Sequence, residues 1–546
     1  MNSLRYNLLT ESLFSVVPGG QLTLPGLMAA LSRNEVTSFR ALRAHQEPAW
    51  HMFLVQLGAL ALHRADKLSC PESEQEWLDA LRGLTKLYPD DAPWCLTNMD
   101  VQGPAFMQAP TPTGEGLWSS DRQRDYAPDS LDVLITSRNH DLKQAVAFNA
   151  PPEDWVYALI SAQTNEGAVG RGNLSISRMN GGFSSRTLVS LAPMTGSSKA
   201  TDPMPGAWFR RNIEVLLGTR EIVLEGSAIE FPPNGGICLT WLPMWDGEKQ
   251  LEVTELDIWF IEISRRYRLG VAGSQIFAVR EGSSKTRINA KEFKGSLEDP
   301  FMPINITENK AFHLHSENFP SAFSYNRVVD LLFSGNWELP VLARLAPTDA
   351  QDETYLMVMA ALARGQCKTD GFHKRCLPIS GRIVRAFGPR QKELHEIASS
   401  MVAEIGNFKF ALKASLAVLA EDGKTTKASL DEMKRIDSRA ARFIRDFERM
   451  ADEIFFPELW LRFEAEPDAA NEARAVFVRK LHTKATEAFK MALMTVPGLS
   501  SMRHRAQARA TASFRRIVAS KHPELLSQRF PQDTGKTPPQ IEGDQS

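Results

Sequence analysis

The chain has 546 residues, 43% hydrophobic and 23% charged, with a formal net charge of −2. That composition excludes a disordered or membrane-embedded protein, and the length gives room for two or three domains with separate cores. The five cysteines, Cys70, Cys95, Cys238, Cys367 and Cys376, include no CxxC pair, so neither a disulfide framework nor a metal site is expected, and no cofactor.

No basic–apolar–cleavage pattern opens the chain, which predicts a cytoplasmic protein. Tyr6–Val17 reads YNLLTESLFSVV, and Leu42–Ala65 follows as LRAHQEPAWHMFLVQLGALALHRA. The latter opens with the polar or amphipathic His45, Gln46, Trp50 and His51, then runs apolar from Met52 to Leu62 with Gln56 as the one interruption. It is too short to span a bilayer and reads as a buried helix. Further helices are expected at about 71–87, 206–218 and 350–364. Asn173–Leu191, NLSISRMNGGFSSRTLVSL, alternates on both sides of Asn180-Gly181-Gly182 and reads as a β-hairpin, with Arg178 and Arg186 bracketing its tip. Glu255–Val271 alternates and meets Ser274–Glu281 across Ala272-Gly273, which predicts two paired strands. From Lys285 four cations fall within ten residues. In Ala361–Ile379 an apolar helix should end at Gly365, followed by a donor-rich loop containing Gln366, Lys368, Thr369, His373, Lys374 and Arg375.

From Gln391 onward four segments carry helical apolar spacing, separated by Asp422-Gly423, Glu466-Pro467 and Pro497-Gly498. Short connections between four helices make a bundle the simplest arrangement. The expected fold class is α+β: an irregular mixed domain over 1–380, a four-helix bundle over 381–522, and a polar tail, 523–546, too poor in apolar residues to fold. Charge is unevenly spread. Arg382–His522 holds 26 Lys and Arg against 18 Asp and Glu, and Met491–His522 has six basic residues and no acid. A basic block in a near-neutral chain can face phosphates, and Arg505, Arg509 and Arg516 are its candidate backbone contacts.

Enzyme motifs are sparse. His140-Asp141 is the doublet that metal-dependent phosphohydrolases use, and such an enzyme is the alternative reading, but no companion ligands stand at an obvious spacing among the 11 histidines. Gly423-Lys424-Thr425 resembles the end of a P-loop, yet the first glycine of that motif would fall at Val418, inside a helical pattern. No serine nucleophile elbow and no HExxH occur. A non-enzyme is expected; a scaffold without nucleic acid is a third reading.

The two N-terminal segments, the Gly-Gly-Phe triplet and the domain order resemble the CasA family, the large subunits of type I-E Cascade, an RNA-guided DNA-binding complex of prokaryotic CRISPR defence. The resemblance implies a glycine loop that contacts the protospacer-adjacent motif. Gly181, Gly182 and Phe183 match it, and Asn180 stands where some relatives carry another glycine. It also implies a wedge that opens the first target base pairs, here Lys368, Thr369, Asp370 and Gly371, where some relatives have a glutamine. A cation finger would be Arg287 or Lys291. A loop holding Arg138, Asn139, His140 and Lys143 would touch the RNA 5′ handle and its bound subunit. The implied partners are guide RNA, the backbone, handle-binding and small helical subunits, double-stranded DNA and a recruited helicase–nuclease, with no membrane. Protein in such systems reads a short motif while base pairing reads the rest.

Overall fold

The computed structural model describes residues 4–112, 117–119, 122–131, 149–168, 172–179, 182–194, 202–314, 322–350, 353–365, 368–434, 438–496 and 498–525. The chain divides into two compact units, through Gln391 and from Lys392.

The first unit opens with β1 (Phe14–Val17), flanked antiparallel by β2 (Gln21–Leu22) and β3 (Ser38–Phe39). Its first five helices among the described residues are α1 (Leu24–Ser32), α2 (Glu47–Arg64), α3 (Glu74–Gly83), α4 (Pro152–Thr164) and α5 (Pro205–Gly226). A helix apolar on every side must be covered on every side, and α2 is: α3, α4 and α5 pack on it together with β4 (Leu256–Ile261). Trp50 is ringed by Phe14, Phe39, Phe53 and Tyr157 at 5.0–5.9 Å between centroids. His51 lies in the same core, stacked on Trp208 at 3.4 Å and hydrogen-bonded to Asn212 at 3.0 Å. Burial, with Lys374 nearby, holds its pKa well below the usual imidazole value.

Glu255–Val271 splits into β4 and β5 (Arg266–Ala272), and β5 pairs antiparallel with β6 (Gln275–Glu281) through the expected turn. The stretch expected as a helix over 350–364 is instead a strand. Thr354–Gly365 forms the middle of a three-stranded sheet, between Leu188–Pro193 and Lys368–Ser380, with Tyr355–Ala363 buried. A continuous apolar run suits a doubly buried strand as well as a core helix, and periodicity cannot separate them. Tyr325–Phe333 (α6) precedes this hairpin, and Gly381–Ala386 (α7) follows, packed against its second strand. Phe387 meets Phe333 at 5.5 Å. These contacts keep residues 381–391 with the first unit, so the division falls after the expected boundary at 380.

The second unit contains α8 (Gln391–Ala420, from Lys392 onward), α9 (Leu430–Lys434), α10 (Ser438–Glu464), α11 (Ala470–Thr495) and α12 (Arg503–Lys521). The four long helices are the four expected ones. Buried Glu404 of α8 ties three of them together, pairing with Arg462 of α10 at 3.2 Å and Arg474 of α11 at 2.7 Å. Phe408 of α8 packs on Phe447 and His482, and His522 stacks on it at 4.7 Å beyond the end of α12.

Candidate nucleic-acid interface

Among the described residues, the arms on either side of the glycine pair do not form the paired strands of the expected hairpin. Ser177–Met179 makes one 3-10 turn, and the residues after the glycines run beside the end of α4. Ala168 N–H donates to Gly182 O at 2.8 Å, Arg186 N–H to Asn165 O at 2.7 Å, and Glu166 bridges Ser185. The cause is a pair of buried acids. Ser177 donates its N–H and its hydroxyl to Glu262, at 2.6 and 2.7 Å, and Arg178 is drawn to Asp299 at 3.0 Å. The first arm curls into the core where alternation alone suggested a strand. Asn180 and Gly181 lie outside the described residues. Gly182 donates its N–H to Met179 O at 2.7 Å, and Phe183 is 39% exposed.

Arg178 and Arg186, expected to face DNA, are core residues at 2% exposure. Asp299 sits between them: Arg186 donates to it through Nε and Nη2 at 2.7 and 2.8 Å. Arg178 also lies over the Phe260 ring at 3.8 Å. Arg186 Nη1 donates to Gln56 Oε1 at 3.0 Å, and Gln56 Nε2 donates to the carbonyls of Trp259 and Phe260. Gln56, the one polar interruption of the apolar run Met52–Leu62 in α2, is thus a structural partner of this ionic cluster. Burial pushes Asp299 up, but Arg186 and Arg178 outweigh it and leave the carboxyl below its usual range. For Glu262 burial wins and the pKa is raised; Arg178 is lowered to about 10, again chiefly by burial.

Arg287 is likewise a correction. It is 1% exposed, donates to the carbonyls of Thr240, Pro243 and Met244, and sits over Trp245 at 5.3 Å. It cannot reach a base edge from there. The surface cations of this stretch are Lys285, Lys291 and Lys294, all exposed, the last two on a 3-10 turn over Lys291–Phe293 that ends with Lys294 in the left-handed region. That turn packs directly behind the glycine segment: a Cβ on Gly295, at φ +85°, would come within 2.3 Å of Arg178 O. Lys294 was missed in the sequence; the signal was the Lys-Gly step, which permits a turn that projects the cation.

The wedge positions lie on a strand, not in a loop after a helix. Leu188–Pro193, Thr354–Gly365 and Lys368–Ser380 form the sheet. At its end Gly365 pairs with Lys368, Arg364 with Thr369 and Ala363 with Gly371, so Asp370 is the bulged residue. Lys374, expected in the loop, is in the stem, with ion pairs to Glu47 at 2.8 Å and Asp202 at 3.0 Å; Arg375 donates to Phe323 O at 2.7 Å. The two candidate elements meet at one junction. Leu362 N–H donates to Ser185 Oγ at 2.6 Å and Ser185 N–H to Leu362 O at 3.3 Å. The glycine segment and the hairpin end are therefore neighbours, with the Lys291–Lys294 turn behind the former.

In the second unit the three candidate arginines bond the protein's own backbone. Arg505 donates to Asp422 O at 3.4 Å, Arg509 to Gly423 O at 2.6 Å and Lys424 O at 3.1 Å, and Arg516 to Thr426 O at 3.2 Å. The loop with Arg138, Asn139, His140 and Lys143, and the whole His140-Asp141 doublet, lie outside the described residues. Among the described residues no three His, Cys, Asp or Glu are grouped to hold a metal ion, and no helix is long and apolar enough to cross a membrane.

This architecture is the fold of the CRISPR-associated CasA (Cse1) proteins. Cse1 of Acidimicrobium ferrooxidans superposes with a TM-score of 0.58 at 14% identity, over 96% of this chain and 99% of its own. Cse1 of Thermobifida fusca gives 0.58 at 14%, over 95% and 98%, and CasA of Thermus thermophilus 0.55 at 13%, over 95% and 100%. No protein-family model and no curated protein matches the chain by sequence.

Proposed function

We propose that this protein is the non-catalytic large subunit of a type I-E Cascade complex, cytoplasmic, and that its first unit reads the protospacer-adjacent motif and starts strand separation. The junction of Ser185 with Leu362 carries this reading, because it sets a glycine segment beside a rigid hairpin end. Gly182 carries no side chain and Phe183 beside it is exposed, so this segment would approach a groove closely. Lys291 or Lys294 would supply the cation, and Lys368, Thr369, Asp370 and Gly371 would occupy the gap between opened base pairs. Guide RNA and the other subunits would deliver base pairing, the helical unit would hold backbone phosphates, and a separate helicase–nuclease would cut. The test is reconstitution with guide RNA and the other Cascade subunits. The assembled complex should open a duplex bearing the motif and leave a motif-scrambled duplex closed. Equal opening of both, or no assembly, would refute the proposal.

A further inference from the structure

The arginines of α12 leave the loop after α8 in an unusual state. Asp422 and Gly423 turn in the left-handed region, at φ 53° and 62°, and a Cβ on Gly423 would come within 2.7 Å of Ala506 Cα, so the loop lies tight on α12. Four of its carbonyls, those of Asp422, Gly423, Lys424 and Thr426, are held by Arg505, Arg509 and Arg516. In a planar trans peptide the N–H points opposite to the C=O. The N–H groups of Thr425 and Lys427 therefore face away from the guanidiniums, and no acceptor among the described residues takes them. Lys424, Thr425, Thr426 and Lys427 are all exposed. The Asp422 carboxylate is engaged elsewhere, accepting Leu499 N–H at 2.9 Å.

We propose that residues 424–427 form a binding site for a phosphate oxyanion. Outward backbone N–H groups, two hydroxyls and two ammoniums fall within these four exposed residues, on a loop whose carbonyls are neutralised from behind. It is not a nucleotide P-loop, since the residue that would be its first glycine, Val418, is buried within α8. Assigning the phosphate to a nucleic-acid backbone rests on the function proposed above; a free phosphate is the other source. On that assignment Arg505, Arg509 and Arg516 build the site and the loop makes the contact.

The test uses the full chain with Lys424→Ala/Lys427→Ala, and Arg515→Ala/Lys521→Ala as a charge-matched control on exposed residues of α12. Binding of a short labelled duplex is measured against salt, and thermal unfolding in inorganic phosphate against chloride at equal ionic strength. Losing two phosphate contacts should flatten the salt slope by about 1.8, which narrows the affinity gap to wild type about twelvefold between 50 and 200 mM salt. Phosphate should stabilise wild type and control but not the loop variant. If no chain binds duplex while the phosphate effect still needs both lysines, the oxyanion site stands and the nucleic-acid reading falls. A wild-type salt slope in the loop variant, or equal flattening in the control, would overturn the loop as a nucleic-acid site. An unchanged phosphate effect would overturn it as an oxyanion site.

Discussion

Replacing Asp299 by Asn tests whether the glycine segment is held by the ionic cluster beneath it. Asp299 compensates two guanidiniums, each about as buried as itself, and also accepts Phe301 N–H at 2.9 Å. Removing one partner of a buried pair leaves an uncompensated charge and costs about 3–5 kcal/mol. Glu262, 3.7 Å from Arg178, can offset part of this for that arginine but is not an ion-pair partner of Arg186. Unfolding entropy is about 2.1 cal/mol/K per residue, or roughly 0.8 kcal/mol/K over the 391 residues of the first unit, so a 4 kcal/mol loss should lower Tm by about 5 °C. The same carboxyl lies below its ordinary value of 3.8. Its contribution is complete above that value and fades as pH falls through the lowered one, so Asp299→Asn should also flatten the acid limb of stability. Differential scanning calorimetry across pH 3–7 reads both effects. A variant as stable as wild type with the same acid limb would show that Arg178 and Arg186 are not held by this carboxylate.

Other consequences follow from individual contacts. Glu262→Gln should cost less than Asp299→Asn in the same calorimetry, because burial already favours the protonated form that Gln mimics. Gly182→Asp should impair binding of a motif-bearing duplex by the assembled complex; a Cβ there would stand 3.0 Å from Met179 O, so a small fall in Tm should accompany it. Lys368→Ala/Thr369→Ala should slow R-loop formation on a fully paired target and matter little on one mismatched beside the motif; an equal defect on both would mean that these residues only hold DNA. His51 is kept neutral by burial, so stability should be full above the ordinary imidazole value of 6.5 and decline as pH falls below it toward the lowered one. Thermal unfolding at pH 7.5 and 5.5 should show this in wild type and lose it in His51→Gln.

What could be read in the chain depended on whether the deciding interaction was local. Helix α2 was legible because an unbroken apolar circumference has one explanation, and the helical unit because Asp422-Gly423, Glu466-Pro467 and Pro497-Gly498 punctuate it. The strand Thr354–Gly365 was not, since its apolar run lacks a period and its partners, Leu188–Pro193 and Lys368–Ser380, are set by tertiary pairing. The burial of Arg178, Arg186 and Arg287 was equally hidden. An arginine beside a glycine pair reads as a surface cation, and the acid that claims Arg186 is 113 residues away. One trace was visible: Gln56, a polar side chain in a core helix, must have buried partners, and these are Arg186 and two carbonyls of β4.

That displacement changes the chemistry available at the candidate interface. With the arginines withdrawn into the core and Ser184 and Ser185 buried, the segment Gly182–Ser185 presents the Phe183 ring, and the nearby exposed cations are lysines. Lysine is a point charge without the planar fork that matches a guanine edge, so such a surface favours tolerant readout over a strict code. The buried pairs do different work, fixing where the glycine segment lies relative to the hairpin end. Sequence preference at this interface should then respond more to substitutions that move Gly182, including ones at Asp299, than to exchange of any single surface charge. Base-by-base substitution of the motif, compared between Asp299→Asn and Lys291→Ala complexes at a temperature where both are folded, discriminates the two. A loss of discrimination confined to Lys291→Ala would return motif reading to a side chain.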